Sequence, residues 1–352
     1  MRRQIYSAFL FIYRSLQHEE RLKQPVGSFD LACNDILFLL NVNLNKMTKV
    51  LIATDKPFAQ VAVARISEIF ESAGFEVVKL EKYAHKSDLL NAVKDVDGMI
   101  VRSDIVDKEV LEAAKNLKIV VRAGAGYDNI DVDTAKQKGV CVMNTPGQNS
   151  NAVAELAIGL VIYGLRDFFS GKVGNELRGR TIGLHGWGYV ARSVNRIALA
   201  FGMKTLVYDY FSNQQAMAEG LIVTTSLEEL YAKSDIISIH VPAIGEHIKS
   251  VNNKVLRNMK KGAIIINTAR KEVIDEEDFC KFMGERTDIR YLSDIEPDCK
   301  DAFAEKYADR YYFTPKKLGA QTEEANINAG IAAAEQIVRF ITKGDETFRV
   351  NK

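Results

Sequence analysis

One stretch, residues 180–209, constrains the fold of this chain more than any other. It contains an apolar strand over 181–184, the turn Gly186-Trp-Gly-Tyr-Val-Ala191, a helix, and a second apolar strand that ends in Asp209. A strand, glycine turn, helix and strand, followed by an acid about 20 residues after the glycines, form the pattern of a dinucleotide-binding unit. The stretch therefore predicts a doubly wound parallel sheet that binds a dinucleotide.

The residue types in this unit have separate physical roles. Gly186 permits a tight turn, Gly188 lets the backbone approach a pyrophosphate, and Ala191 lets helix and strand pack closely. The helix N-terminus offers unpaired N–H groups to the phosphates. Asp209 can accept hydrogen bonds from both ribose hydroxyls, and its charge repels a 2′-phosphate, so we expect NAD rather than NADP. The alternative is a packing turn of the same shape without a ligand.

Composition argues against several other classes of protein. The chain has 352 residues, of which 47% are hydrophobic and 26% are charged, and its formal net charge is +1. These values are typical of a soluble globular protein with two domains, and they do not suggest a nucleic-acid or membrane partner. The four cysteines are scattered and predict reduced thiols in a cytoplasmic protein, while the five histidines lack metal-ligand spacing and predict no metal site.

Strands and helices alternate on both sides of the glycine unit. Five short apolar runs between residues 50 and 143 predict one parallel sheet, and the glycine unit begins a second series. An apolar helix over 151–167 crosses between the two and is expected to be buried between domains. The last helix, over 323–343, is expected to return to the first domain, with Thr322 as N-cap and Gly344 as its stop.

Residues 1–46 differ from the rest of the chain. A basic start precedes a short apolar run over 5–13, which allows a transit segment. An ordered extension is another alternative. The preferred interpretation is that translation begins at Met47, because the first predicted strand follows directly. We therefore expect this extension to be disordered or absent from the mature protein.

Three further motifs follow predicted strands. They are Val120-Val-Arg-Ala-Gly-Ala-Gly-Tyr-Asp-Asn-Ile-Asp131, Asn144-Thr-Pro-Gly-Gln-Asn-Ser-Asn-Ala-Val-Ala-Glu155 and Ile264-Ile-Ile-Asn-Thr-Ala-Arg270. Through them, residues 47–352 resemble the D-2-hydroxyacid dehydrogenase family, and most closely its short D-3-phosphoglycerate dehydrogenases without a carboxyl-terminal regulatory domain. The resemblance implies a flavodoxin-like substrate domain (47–148 plus 320–352), a Rossmann NAD-binding domain (149–319), a cleft between them, and a homodimer.

The resemblance also implies hydride transfer between NAD and C2 of a 2-hydroxy acid. Arg270 matches the family arginine that holds the carboxylate and the C2 oxygen, unless it is a surface residue. Asp294 matches the acid that contacts the nicotinamide carboxamide, with a turn acid as the alternative. The residues expected at the substrate are Arg102, Ser103, Arg122, Ala125, Gly126 and Asn149. Those expected at NAD are Gly186, Trp187, Gly188, Tyr189, Val190, Asp209, Val241, Pro242, Thr268, Ala269, Arg270, Asp294 and Gly319.

Several of these assignments leave alternatives open. Either Arg102 or Arg122 would bind a substrate phosphate, and either would otherwise be a structural ion-pair partner. Trp187 would shield the pyrophosphate or cover the start of the helix. The backbone N–H groups of Ala125 and Gly126 would hold the substrate carboxylate.

The sequence departs from the family pattern where the proton is transferred. The family usually has a histidine before a glycine–alanine pair, and counting back from Gly319 places Lys317 there. Nearby cations and a dry cleft would lower the pKa of a lysine, so we expect Lys317 to be the proton donor and acceptor. A solvated lysine pair is the alternative. Glu296 is the preferred partner carboxylate; Asp298, or no partner, are the others.

Three functions therefore remain to be separated. The leading one is NAD-dependent oxidation of 3-phospho-D-glycerate to 3-phosphohydroxypyruvate, in serine biosynthesis. The second is oxidation of another D-2-hydroxy acid such as glycerate or lactate. The third is an NADH-sensing binding protein like the family's corepressor relatives, which the missing histidine favours and which Arg270 opposes.

Overall fold

The computed structural model describes residues 47–307 and 309–352. The expectations for residues 1–46 therefore lie outside the described residues. Lys49–Lys352 form one compact unit that contains two parallel sheets. Among the described helices, none combines the length and the apolar character needed to cross a membrane.

The first sheet has five strands in the order β2-β1-β3-β4-β5, and each neighbouring pair is parallel. This is the flavodoxin-like strand order, as predicted. Its strands are β1 (Lys49–Thr54), β2 (Glu76–Glu81), β3 (Gly98–Val101), β4 (Ile119–Arg122) and β5 (Cys141–Asn144). The helices along this part are α1 (Gln60–Ser72), α2 (Lys86–Ala92), α3 (Lys108–Ala113) and α4 (Val132–Gln137).

The second sheet has seven parallel strands in the order β12-β11-β10-β9-β6-β7-β8. This is the Rossmann order extended by one strand. The strands are β6 (Thr181–His185), β7 (Lys204–Tyr208), β8 (Ile222–Val223), β9 (Ile236–Ile239), β10 (Ile264–Asn267), β11 (Arg290–Ser293) and β12 (Tyr311–Phe313). The two-residue β8 was not predicted, because a strand so short carries no periodic signal.

Seven further helices accompany the second sheet or cross between the sheets. They are α5 (Ser150–Leu165), α6 (Tyr189–Ala200), α7 (Asn213–Ala218), α8 (Leu227–Lys233), α9 (Asn253–Leu256), α10 (Glu276–Glu285) and, after β11, α11 (Lys300–Lys306). Strands β9 and β10 are buried along their whole length because helices cover both faces of the sheet. The chain positions at which the two domains divide remain a prediction.

The crossover helix α5 packs mainly on α6, β10 and β11, so it belongs to the second sheet rather than lying chiefly between domains. It ends at Leu165, two residues before the predicted end. The next residues explain this, because Asp167, Phe168 and Phe169 have φ values of 52°, 57° and 55°. A left-handed backbone cannot continue an α-helix.

The last helix, α12 (Glu323–Lys343), returns to the first sheet and packs on α1 and β4. Both of its ends follow the prediction. The Thr322 hydroxyl accepts a hydrogen bond from the Ala325 N–H (3.1 Å), and Gly344 is left-handed with φ 67°. The chain then runs along the edge strand β5, where Arg349 forms an antiparallel bridge with Met143.

Candidate active site

The glycine turn after β6 leaves the start of α6 open. Gly186 has φ 108°, and a Cβ there would lie 2.9 Å from Cγ1 of Val241, so only glycine fits. Gly188 is the N-cap residue and gives α6 no side-chain cap, while a Cβ on it would meet no atom within 4 Å. The N–H groups of this helix therefore face open space, which fits the pyrophosphate of NAD.

Asp209 ties this turn to the end of β7. Its carboxylate accepts hydrogen bonds from the backbone N–H groups of Trp187 (2.7 Å), Phe211 (2.8 Å) and Ser212 (2.8 Å). An ionised carboxylate has about four acceptor positions, so capacity remains for a ribose hydroxyl. The acid at this position thus fits its predicted role and also holds the turn in shape before NAD binds.

Trp187 is buried in the hydrophobic core beside α6, at 4% exposure. Its indole N–H donates to Glu219 (3.1 Å), and the Arg192 guanidinium lies 4.9 Å from the ring centroid. The indole therefore covers the start of the helix, which was one of the two alternatives, and the place of Trp187 among the NAD-binding residues stays a prediction. Its neighbour Tyr189 is exposed and packs against Gly147 of the crossover segment.

Two buried polar atoms near the nucleotide edge have no hydrogen-bond partner among the described residues. They are Nε2 of His240 and Oγ1 of Thr268. Burial lowers the pKa of His240 to about 3, so its imidazole is neutral. Buried polar groups are almost always paired, and a bound NAD would supply such partners. Thr268 was predicted here, whereas His240 was missed; its position after β9, just before Val241, was the available signal.

Asp294 anchors the loop that carries Lys317. This buried carboxylate accepts hydrogen bonds from the Thr314 hydroxyl (2.9 Å) and from the N–H groups of Leu318 (2.7 Å) and Gly319 (2.8 Å). A Cβ on Gly319 would lie 2.9 Å from the same carboxylate. Asp294 therefore holds this loop as a turn acid does, and by the same count as for Asp209 it keeps acceptor capacity, so its contact with the nicotinamide carboxamide stays a prediction.

Lys317 projects into a cavity of about 480 Å³ that also contains Arg270 and Asp294. Its ammonium group lies 3.5 Å from the carbonyl oxygen of Ala269. The side chain is accessible to solvent at its surface. Desolvation of the ammonium group by the surrounding protein, followed by the positive charge of Arg270, lowers the pKa of Lys317 to about 8. The direction agrees with the predicted shift and gives Lys317 both protonation states near neutral pH.

Arg270 reaches from the second sheet to the first. It follows β10 in an extended conformation, and its Nη1 donates to the Ala269 carbonyl (2.9 Å). Its Nη2 lies 3.9 Å from where a Cβ on Gly126 would stand. The N–H groups of Ala125 and Gly126 have no hydrogen-bond partner within residues 47–307 and 309–352. These free donors and the guanidinium can hold one carboxylate between them.

The hydrogen-bond partners of Arg102 and Arg122 distinguish a structural arginine from one that can bind a ligand. Arg102 donates to the carbonyl groups of Lys56 (2.9 Å) and Pro57 (3.2 Å) and to the amide oxygen of Asn326 (2.6 Å). Arg122 makes a single such contact among the described residues, from Nε to the Arg102 carbonyl (3.1 Å). Arg102 is therefore largely structural, whereas Arg122 keeps most of its donors for a ligand.

Gly124 provides the space for the Arg122 side chain. Its φ is 148°, and a Cβ on it would overlap Nη1 of Arg122. Burial, followed by the nearby Arg102, lowers the pKa of Arg122; Asp128 opposes this effect, and Arg270 adds to it. The cleft is therefore strongly cationic between its two sheets, as an anionic substrate requires.

The remaining predicted substrate residues have weaker support. Ser103 is exposed, with its hydroxyl 3.5 Å from the Asp55 carboxylate. Asn149 is the N-cap residue of α5 but makes no side-chain cap hydrogen bond. On the cofactor side, Val190 is half-buried at the start of α6, and Pro242 is exposed after the buried Val241.

Neither predicted partner carboxylate makes a hydrogen bond or ion pair with Lys317, although Glu296 lines the same cavity. Glu296 accepts a hydrogen bond from Lys300 (2.9 Å), four residues on, and Asp298 accepts one from Lys271 (2.5 Å). The backbone N–H of Asp298 also donates to Glu276 (2.9 Å), which holds the shortened loop in place. The expectation that Glu296 pairs with Lys317 is therefore corrected.

The structure combines a dinucleotide-binding unit with a cationic cleft that contains Lys317. These features define the class of this protein as an NAD-dependent dehydrogenase. More particularly, the chain belongs to the D-isomer specific 2-hydroxyacid dehydrogenase family, whose catalytic-domain profile matches residues 51–351. Together with its similarity to the enzymes reported below, this membership identifies the protein as an NAD-dependent enzyme rather than an NADH-sensing binding protein.

Relatives in this family differ in substrate. The chain is 35% identical to the hydroxypyruvate reductase of Thermotoga maritima over 285 residues, 75% of this chain and 91% of that protein. It is 33% identical to the D-3-phosphoglycerate dehydrogenase of Methanocaldococcus jannaschii over 318 residues, 84% of this chain but 58% of that protein. Among solved structures, it is similar to NAD⁺-bound 3-phosphoglycerate dehydrogenase of Entamoeba histolytica, with 46% identity, TM-score 0.76, and coverage of 87% of this chain and 99% of that one.

Proposed function

We propose that the protein interconverts 3-phospho-D-glycerate and 3-phosphohydroxypyruvate with NAD, as in the first step of serine biosynthesis. The observation that carries this proposal is the free guanidinium of Arg122, beside Arg102 and within the field of Arg270. A phosphate is a dianion near neutral pH and needs such cationic donors. The 46% identity to the Entamoeba histolytica enzyme supports the same substrate.

Each part of the cleft has a role in this reaction. The N–H groups of Ala125 and Gly126 and the fork of Arg270 hold the C1 carboxylate, and Arg270 also contacts the C2 oxygen. Arg122 binds the phosphate. NAD, when bound, supplies the hydride acceptor and donor for C2. Lys317 takes the hydroxyl proton during oxidation and returns it to the C2 oxygen during reduction.

A second candidate function is reduction of hydroxypyruvate or a similar 2-keto acid without phosphate. The observation that favours it is the 35% identity to the Thermotoga maritima hydroxypyruvate reductase, of which 91% is covered. With such a substrate, the partly buried Arg122 would bind no substrate anion and would have only the nearby charge of Asp128 as compensation. A buried cation without a partner is costly, so this substrate fits the cleft less well.

We expect the ratio of kcat/KM for 3-phosphohydroxypyruvate over hydroxypyruvate to be high, and to fall in Arg122→Gln about 10- to 100-fold, since charge-assisted hydrogen bonds contribute about 1.5–3 kcal/mol. Gly124→Ala should give the same loss, because its Cβ displaces the guanidinium. NADH oxidation by both acids measures the ratio. A parent enzyme that prefers hydroxypyruvate, with a ratio unchanged in Arg122→Gln, would refute the phosphate assignment.

We also infer that the protein is a homodimer through its cofactor-binding part. Phe169 and Val173, after α5, are 68% and 99% exposed, and Phe201, after α6, is 45% exposed. The Gly179 N–H donates to the Gly202 carbonyl (2.9 Å), which brings these two segments together. Exposed apolar groups of this kind favour contact with a second copy of the chain, which would bury them.

Light scattering should give twice the chain mass for the parent protein. The double variant Phe169→Glu with Val173→Glu should give monomers. A monomeric parent would refute the inference.

A further inference from the structure

Four carboxylates lie on the chain segments around Lys317, and three of them are already engaged. Asp294 accepts three hydrogen bonds from the loop at 314–319. Glu296 pairs with Lys300, and Asp298 pairs with Lys271. The fourth is Glu272, whose side chain has no hydrogen bond or ion pair with any residue of 47–307 or 309–352.

The backbone around Glu272 is nevertheless fixed. It lies in the single 3₁₀ turn Lys271–Val273 that follows Arg270, and its carbonyl accepts a hydrogen bond from the Lys249 N–H (2.9 Å). Glu272 lines the same cavity as Lys317 and Arg270, and it is exposed there. An anchored backbone with an unpaired anionic side chain beside a cationic cavity is suited to hold a cation.

We propose that Glu272 is the positioning residue for Lys317, in the role that the sequence had suggested for Glu296. In the ammonium state, Lys317 donates a hydrogen bond to this carboxylate and keeps its remaining protons for the C2 oxygen of the substrate. Once Lys317 has lost a proton, the attraction weakens and the amine is free to accept the hydroxyl proton. The inference rests on the proposed function, because it assigns Lys317 the proton transfer.

The charges that face Lys317 support this arrangement. The groups that act on it are Arg270 and Arg122, which favour the neutral amine, and Asp294 and Glu272, which favour the ammonium. Asp294 is buried and committed to the loop, so its effect does not depend on substrate binding. Of the two carboxylates, Glu272 is the one whose oxygens remain free to bind the ammonium group of Lys317 directly.

The test compares Glu272→Gln with Glu296→Gln, which removes the same charge from the neighbouring loop and serves as the matched control. The pH dependence of kcat/KM for reduction of 3-phosphohydroxypyruvate reports the ammonium form of Lys317. In Glu272→Gln we expect its midpoint to move down by about half a pH unit or more, since an opposite charge nearby raises a lysine pKa. Glu272→Asp should restore the parent midpoint in part, and Glu296→Gln should leave it unchanged.

A second measurement does not depend on the substrate. Lysines labelled by reductive ¹³C-methylation can be titrated by NMR, with the Lys317 signal assigned from its absence in Lys317→Ala. A lower midpoint for this signal in Glu272→Gln, but not in Glu296→Gln, supports the inference. An unchanged midpoint in Glu272→Gln, or a shift in Glu296→Gln instead, overturns it. If the parent fails to turn over the phosphorylated acid, the proposed function fails, while this titration still decides the role of Glu272.

Discussion

Replacing Lys317 with alanine is expected to lower kcat for reduction of the 2-keto acid by about 10²- to 10⁴-fold, which is the usual contribution of a general acid. The reason is that the ammonium group of Lys317 lies in the same cavity as Arg270, where it can protonate the C2 oxygen of the substrate. Affinity for NADH should change little, because Lys317 lies on the loop after β12 and not at the glycine turn. Steady-state NADH oxidation and fluorescence of Trp187 measure the two quantities.

The pH dependence of the parent enzyme should follow the same residue. With a pKa of about 8, Lys317 is charged below that pH and neutral above it. Reduction needs the charged form and should decline as pH rises through about 8, whereas oxidation needs the neutral form and should increase there. The adjacent Lys316→Ala is the control and should keep both profiles. Full turnover of Lys317→Ala at alkaline pH would show that another group transfers the proton.

Replacing Arg270 with glutamine is expected to lower kcat/KM by about 10²-fold or more, because two charge-assisted hydrogen bonds to the substrate contribute about 1.5–3 kcal/mol each. The guanidinium extends from the end of β10 to the vicinity of Gly126, where the free N–H groups of the first sheet begin.

The substitution Arg270→Lys separates charge from shape. A lysine keeps the positive charge but lacks the planar fork that holds two oxygens at once. We therefore expect Arg270→Lys to recover a minor part of the lost kcat/KM. If Arg270→Gln retained the kcat/KM of the parent, the carboxylate would have to be held elsewhere, and the assignment of the cleft would be wrong.

The parts of the fold that the sequence predicted well are those with local causes. Helix α12 begins after a threonine N-cap and ends at a left-handed glycine, and both signals lie within the helix ends themselves. The glycine unit is equally local, since one turn and one acid define it. Strand β8 escaped prediction because its pairing with β7 depends on a neighbouring strand rather than on its own two residues.

The site was harder to predict because its partners are distant in the sequence. Arg102 follows β3 and Arg122 ends β4, and the distinction between them comes in part from Asn326, 224 residues after Arg102. The predicted partner Glu296 is the exception, because it pairs with Lys300, only four residues further along the chain. Glu272 belongs to none of the sequence motifs. Its proposed role follows only from the hydrogen bonds and ion pairs of the surrounding carboxylates.

The segment over residues 349–351, which runs along β5, affects whether this edge of the sheet can pair with a strand of another molecule. The Asn351 side chain accepts from the Val142 N–H (3.0 Å) and donates to the Val140 carbonyl (2.8 Å), while the Val350 N–H donates to the Val142 carbonyl (2.9 Å). An outer strand with free N–H and C=O groups is a template for strand addition and aggregation. Here residues 349–351 bind the Val140 carbonyl and both backbone groups of Val142, so these positions of the edge are not available to a neighbouring molecule.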